Sequence, residues 1–271
     1  MRSSALASSG RKTQDAKAAR VLKQLILTAD DFGRSPEINA AIERAHRAGF
    51  LTQASLMVNE PAVADAVAIA RRNPALRVGL HLALCAGRAA RVSALSDAHG
   101  QFGASPARAG WRYYLESKLA FDLRREIHAQ FERFGALGFA PTYWDGHAHL
   151  HLHPTILALT VPGAAGHGFR FIRLVREPGP PALVPAIFHL LSRAALPLLE
   201  QHRIAFADRV FGLRDTGRMT TARIAALLQK LPAGVSELYF HPGAEPEEPD
   251  YAALVPRLAA QGITLRPAGE R

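Results

Sequence analysis

From residue 24 onward, short runs of aliphatic, aromatic and β-branched residues alternate with longer segments whose apolar positions recur every three or four residues. The runs QLILTA (24–29), LTQASLMV (51–58), LRVGLHL (76–82), PTYWDGH (141–147), FRFIRL (169–174), SELYFHP (236–242) and ITLRP (263–267) read as strands. Between them, 35–49 reads as a helix with Ser35 as N-cap, Pro36 in its first turn and Gly49 as its stop. Segment 61–73 is a helix halted before Pro74, and further helices are predicted near 117–137, 155–167, 220–231 (capped by Thr220) and 250–261. Such alternation is the pattern of parallel strands joined by crossover helices. No G-x-G-x-x-G follows the first strand, so about seven β/α units predict an irregular (β/α) barrel rather than a dinucleotide-binding sheet.

Two segments break the rhythm. Residues 83–115 are rich in Gly, Ala, Ser and Arg without a clear period, which predicts a functional loop or lid. Residues 177–207 read as a proline-interrupted, mostly apolar helical insertion. Its stretch 182–199 falls short of a membrane span because Pro185, His189, Arg193 and Pro197 interrupt it. Residues 1–23 have basic side chains but no apolar core of a signal peptide and read as a disordered arm, leaving 24–271 as one barrel domain.

Composition narrows the classes. A chain of 271 residues that is 48% hydrophobic can bury a large core. The net charge of +10 includes +4 from the first twenty residues, so the body is only mildly basic. No aromatic-basic motif accompanies that charge, and no nucleic-acid partner is predicted. The single cysteine, Cys85, excludes a disulfide framework or a cysteine-built metal site and favours a reducing, cytoplasmic compartment.

Polar residues fall where buried strands have no structural need of them. Asp30 and Asp31 end the first strand, His81 lies near the end of the third, Asp145 and His147 end the fourth, and His241 ends the strand beginning near Ser236. In a β/α barrel the carboxyl ends of the strands build the active site, so these groups converge on one mouth. Asp31, His81 and His147 can then form an open three-ligand metal site. Asp30, aimed differently from its neighbour, stands as general base and His241 as general acid. The run HAHLHLH (147–153) would put all four histidines on one face if the strand continued. Asp145, His149 and His151 are therefore candidates for substrate contact or for support of the metal ligands, and His153 for a helix cap.

Four ordered motifs, TADDFG (28–33), GLHL (79–82), DGHAHLH (145–151) and FHPG (240–243), resemble those of the YdjC-like carbohydrate deacetylases, also called the chitooligosaccharide deacetylase family. The resemblance runs from about residue 24 to 267. It implies an irregular barrel of the glycoside hydrolase/deacetylase type that removes an acetyl group from an N-acetylated sugar with a divalent metal. By motif position it makes Asp31, His81 and His147 the ligands, Asp30 the base and His241 the acid. Gly146 stands where the family commonly has Ser. The WDGHAHLHLHP wording and the 177–207 insertion are similar to the hopanoid-biosynthesis branch, which implies an N-acetylglucosaminyl hopanoid as substrate.

The expectation is a metal-dependent hydrolase giving acetate and a free amino sugar, the sugar being lipid-linked. Soluble chitooligosaccharide is the alternative substrate. A site of two imidazoles and one carboxylate suits Zn best and also Co, Mn, Ni or Fe, with Mg a less natural partner. The same ligand set occurs in non-haem iron oxidoreductases, and a non-enzymatic sugar- or lipid-binding barrel is a further rival. For 177–207, peripheral contact with the inner membrane, a buried helical hairpin and a homodimer interface are the competing readings.

Overall fold

The computed structural model describes residues 22–270. The predicted basic arm lies almost wholly outside them, although Lys23 already belongs to the first strand. The strands are β1 (Lys23–Phe32), β2 (Gln53–Leu56), β3 (Arg77–Leu82), β4 (Tyr143–Gly146), β5 (Phe171–Ile172), β6 (Arg209–Phe211), β7 (Gly234–Phe240) and β8 (Ile263–Leu265). The helices are α1 (Pro36–Arg47), α2 (Val63–Arg72), α3 (Pro106–Leu115), α4 (Ala120–Ala136), α5 (Pro154–Gly166), α6 (Leu183–Gln201), α7 (Thr221–Gln229) and α8 (Tyr251–Ala260).

All strand pairings are parallel, in the order β5-β4-β3-β2-β1-β7-β6. β8 joins the first residues of β1, on the edge that β2 occupies from Thr28 onward. The sheet curls until its two edges meet one segment. Ile172 N donates to Ala205 O and Ala205 N to Arg170 O, and four residues later β6 begins its pairing with β7. The result is an irregular (β/α) barrel.

Strand alternation sorts side chains between two environments. Leu25, Leu27 and Ala29 of β1, Leu80 of β3, Trp144 of β4 and Leu238 of β7 face the helices, where they join Ile42, Phe131, Phe134 and Ile156 in the main core. The intervening residues point into the barrel. Its floor is apolar, made by Ile26, Tyr143, Phe171, Ala207 and Ala268. Above it the interior turns polar: Glu237 accepts from Thr28 Oγ1 at 2.8 Å, and Thr28 accepts from Gln53 Nε2 at 2.9 Å. Gly79 is required here, because a Cβ would strike the Tyr143 ring.

The cap signals of α1 and α7 act as the sequence suggests: Ser35 accepts from Ile38 N and Thr220 from Arg223 N, each at 3.3 Å. Two readings are corrected. The aperiodic stretch 83–115 contains α3, capped by Ser105, which accepts from Arg108 N. The 177–207 insertion is neither broken nor a hairpin but a single helix, α6. Pro185 falls in its first turn, where a missing N–H costs no hydrogen bond, and Pro197 lies within the helix. Ser192, Ala195 and Leu199 form the buried side of α6.

Candidate metal centre and catalytic groups

The carboxyl end of β1 does not continue as a simple strand. Its register against β2 shifts between Ala29 and Phe32, and Asp31 has φ 64°, a left-handed conformation uncommon for a residue with a side chain. This bulge, rather than plain alternation, aims the two aspartates differently. Asp31 turns toward His81 and His147, while Asp30 points to the barrel axis.

Asp31 Oδ1 lies 2.9 Å from His147 Nδ1 and 3.4 Å from His81 Nε2, and its Oδ2 accepts from Arg34 Nη1 at 2.8 Å. Burial opposes ionisation of Asp31, but the hydrogen bond from His147 and the adjacent His81 imidazole override it and hold the carboxyl well below the usual range. Asp145 is completely buried and fixes His81 from behind, accepting from Nδ1–H at 2.6 Å. Burial disfavours a charged His81, yet the negative charges of Asp145 and Asp30 win and raise its pKa to about 10. The pocket is therefore a field that favours positive charge.

These residues fit a divalent metal. One ligating atom from each of Asp31, His81 and His147 lies within 4.8 Å of the others. His81 Nε2 is buried and finds no good hydrogen-bond partner among the described residues. The carboxylate behind His81 is the support that metal-binding imidazoles commonly have. Asp30, His81 and Asp145 form a second cluster of suitable spacing. Both of its carboxylates, however, already face the Arg173 cation, which opposes a second positive charge there, and Ser55 Oγ donates to Asp145 Oδ2 at 2.7 Å. The Asp31 set is the better cradle.

Arg173 is the residue that sequence reasoning missed. It is 1% exposed and grips Asp30 with two nitrogens, at 2.7 and 2.9 Å, Asp145 at 2.8 Å and Glu237 at 2.9 Å. Its guanidinium carbon lies 4.4 Å from the centre of the Tyr239 ring. Burial disfavours its charge, but the surrounding carboxylates keep it firmly protonated. The signal was present: a second arginine, three residues after Arg170 in the otherwise apolar run FRFIRL, one strand further round from Asp145. Glu237 and Tyr239 were hidden in SELYFHP as ordinary strand residues.

The other predicted groups separate. His241 follows β7 at the mouth, one-fifth exposed, with Nε2 4.0 Å from Asp30 Oδ2. The histidine run does not extend β4. Residues His147–Leu152 form a kinked 3-10 turn in which Ala148 and His149 have φ 51° and 57°. Only His147 of the run reaches Asp31. His149 is buried with Nε2 2.8 Å from Tyr239 Oη, and His151 Nε2–H donates to Arg173 O at 2.9 Å. Burial lowers the pKa of both, that of His151 to about 4. They thus support the Arg173 region, and the completely buried His151 is out of reach of substrate. His153 occupies the N-cap of α5, but its side chain makes no capping bond. At Gly146, a Cβ would meet the His151 ring at 2.9–3.2 Å, so the absent side chain makes room for that histidine.

Comparison with known proteins gives a consistent outcome. The family model described as "YdjC-like protein" matches residues 24–268. A protein called carbohydrate deacetylase from Mus musculus is 33% identical over 248 residues, covering 81% of this chain and 78% of that protein. Another of that name, from Brevibacillus brevis, is 41% identical over 140 residues, 51% of this chain and 54% of its own length. A solved structure of a candidate cellobiose-phosphate cleavage protein from Enterococcus faecalis V583 has a TM-score of 0.69 at 20% identity, covering 91% of this chain and 97% of that one. That likeness shows a shared fold.

Proposed function

The chain belongs to the YdjC-like family, and on that premise we propose that it is a metal-dependent carbohydrate N-deacetylase acting on an N-acetylglucosamine unit. The observation that carries this reading is the Asp31, His81 and His147 cluster beside an Asp30 locked by Arg173. The names borne by the mouse and Brevibacillus relatives support it.

A divalent ion, most naturally Zn, held by Asp31, His81 and His147 would supply Lewis-acid polarisation of the acetamide carbonyl and acidify water. Asp30 accepts the proton of the attacking water. Arg173 holds both Asp30 oxygens and fixes the lone pairs that receive it. His241 reaches the mouth on the Asp30 side and delivers a proton to the departing nitrogen. Attack forms the C–O bond and a tetrahedral adduct at the carbonyl carbon, which collapses by breaking the C–N bond as the nitrogen is protonated, leaving acetate and a free amine. An oxidoreductase reading has no comparable use for Asp30 and His241.

For the substrate, the reading extends to an amino sugar carried on a hopanoid lipid. The WDGHAHLHLHP wording supports this, as does an apolar groove that begins at the His147-bearing turn. The test is mass spectrometry of an N-acetylglucosaminyl lipid and of soluble chitobiose, each incubated with protein and one divalent metal. Loss of one acetyl group is the expected outcome, from the lipid form in preference. No loss from either substrate with any metal would sink the deacetylase reading. Asp31→Ala, His81→Ala and His147→Ala should each lower bound metal, and full metal content in one would remove it from the ligand set.

A further inference from the structure

α3 and the amino-terminal half of α6 flank a groove of about 690 Å³. Trp111 and Tyr114 line it from α3, and Val184, Ile187 and Leu191 from α6. Its inner end is formed by Ala148, His149 and Leu150 of the turn that begins with His147, with Phe188 packed edge-on against His149 at 5.3 Å. The surface here is unusually apolar: Trp111 in the groove is 66% exposed, and Leu183 and Leu190, on the same half of α6 as the groove residues, are 76% and 68% exposed. Only 17% of the most apolar stretch of α6 is buried.

We propose that α3 and the first half of α6 form one docking platform that rests on an anionic lipid surface. Three features favour lipid over other occupants. Aromatic and aliphatic side chains stand together at the rim, as in segments that settle at a bilayer interface. Arg112 of α3 is paired with Glu116 at 3.2 Å, but Arg108 and Arg193 have no ion-pair partner among the described residues and complement anionic headgroups. A two-fold contact with a second copy would instead bring these like charges together. α6 does not span the bilayer in this arrangement, because Ser192, Ala195 and Leu199 hold it to the barrel. Its apolar side lies in the interface, and the groove ends against the turn that begins with the candidate ligand His147. The inference does not depend on acetyl removal, and its readout requires no turnover.

The chain provides its own probe. It has two tryptophans, and Trp144 is completely buried, so a change in emission on docking reports Trp111. Full-length protein is mixed with phosphatidylcholine vesicles, with or without phosphatidylglycerol, and followed by emission and co-sedimentation. The expected result is a shift to shorter wavelength with the anionic vesicles, absent in Trp111→Phe. Leu183→Ser/Leu190→Ser should sediment with vesicles at least roughly tenfold more weakly while keeping its melting temperature, since both side chains are exposed. That variant retains the cations of residues 1–20, so its loss cannot come from them. Unchanged vesicle affinity in the folded double variant would overturn the platform. A lipid-free shift of Trp111 emission that tracks a concentration-dependent dimer in sedimentation would overturn it in favour of a second copy. Failure of vesicle binding with intact deacetylation of soluble sugar refutes the platform alone, and the reverse refutes the enzymatic reading alone.

Discussion

Inside the barrel, Arg173 is sealed from water among Asp30, Asp145 and Glu237, whereas on the flank Leu183, Val184, Ile187 and Leu190 stand largely in it. Neither arrangement favours folding. Desolvating four charged groups costs free energy that their mutual attraction returns only in part. Each exposed large aliphatic side chain forgoes roughly 1.5–3 kcal/mol of burial. Elsewhere the sorting is conventional, with apolar strand faces against helices and an apolar barrel floor. The two departures share a border: His151 of the kinked turn donates to Arg173 O, and His149 of the same turn lines the flank groove. A chain that departs from good packing twice on either side of one turn marks the region where it meets other molecules.

The largest effect expected inside the barrel is from Arg173→Met. It leaves three buried carboxylates without their cation, and loss of one partner from a buried ion pair costs about 3–5 kcal/mol. Urea unfolding measures this directly. A loss below ~1 kcal/mol would mean that the carboxylates are solvated or protonated and that the interior is less charged than the contacts imply. Asp30→Asn comes next. It keeps the side-chain shape but removes the proton acceptor, so activity should fall by about 10²- to 10⁴-fold with metal content unchanged. If metal leaves together with activity, Asp30 is a ligand and the two aspartates exchange roles.

Much of this contrast was legible in the sequence, for identifiable reasons. Asp30, Asp31, His81, Asp145, His147 and His241 stood out because strand ends are predictable from alternation and because charged residues there lack a packing purpose. The fate of His149 and His151 was not legible. Two successive left-handed residues, Ala148 and His149, abolish the alternation on which the one-face reading depended, and neither residue type signals that conformation. Arg173 was overlooked because a strand cation is ordinary at an exposed edge, and only barrel closure makes its position internal. α3 escaped because Ser105-Pro106, the same start signal as Ser35-Pro36, opens a helix only ten residues long with Gly110 inside it. On α6 the apolar residues were visible, but which of them face water depends on Ser192, Ala195 and Leu199 being the buried stripe.

A pH titration tests how tightly the boundary between the two regions is sealed. His151 has a folded pKa of about 4 against an ordinary value near 6.5, because burial disfavours its charge. Between these values the unfolded chain holds more proton, so stability rises with pH through the window. The His151 contribution is complete above about pH 6.5 and is lost as pH falls toward 4, with a slope of up to ~1.4 kcal/mol per pH unit. Denaturant midpoints for the wild type and His151→Asn, compared at pH 7.5 and 5, should show a smaller pH dependence in the variant. Equal dependence would place the acid sensitivity elsewhere and leave the ring accessible to solvent.

The smallest expected effect probes the flank, and it is informative because it should be small. Leu190 is 68% exposed and Leu199, on the same helix, is completely buried. Leu190→Ser should alter unfolding free energy by no more than about 0.5 kcal/mol, the usual range for an exposed surface position. Leu199→Ala removes core packing and should cost about 2–5 kcal/mol. The ratio between them measures how far α6 separates a stabilising side from one that contributes little to the fold. If Leu190→Ser costs more than ~1.5 kcal/mol in dilute solution, that leucine is covered in the free protein, by α3 or by a second chain. The flank would then be an ordinary packed surface. If the cost is negligible, the folded chain has no use for hydrocarbon at that position, and the reason for it lies in something the protein binds.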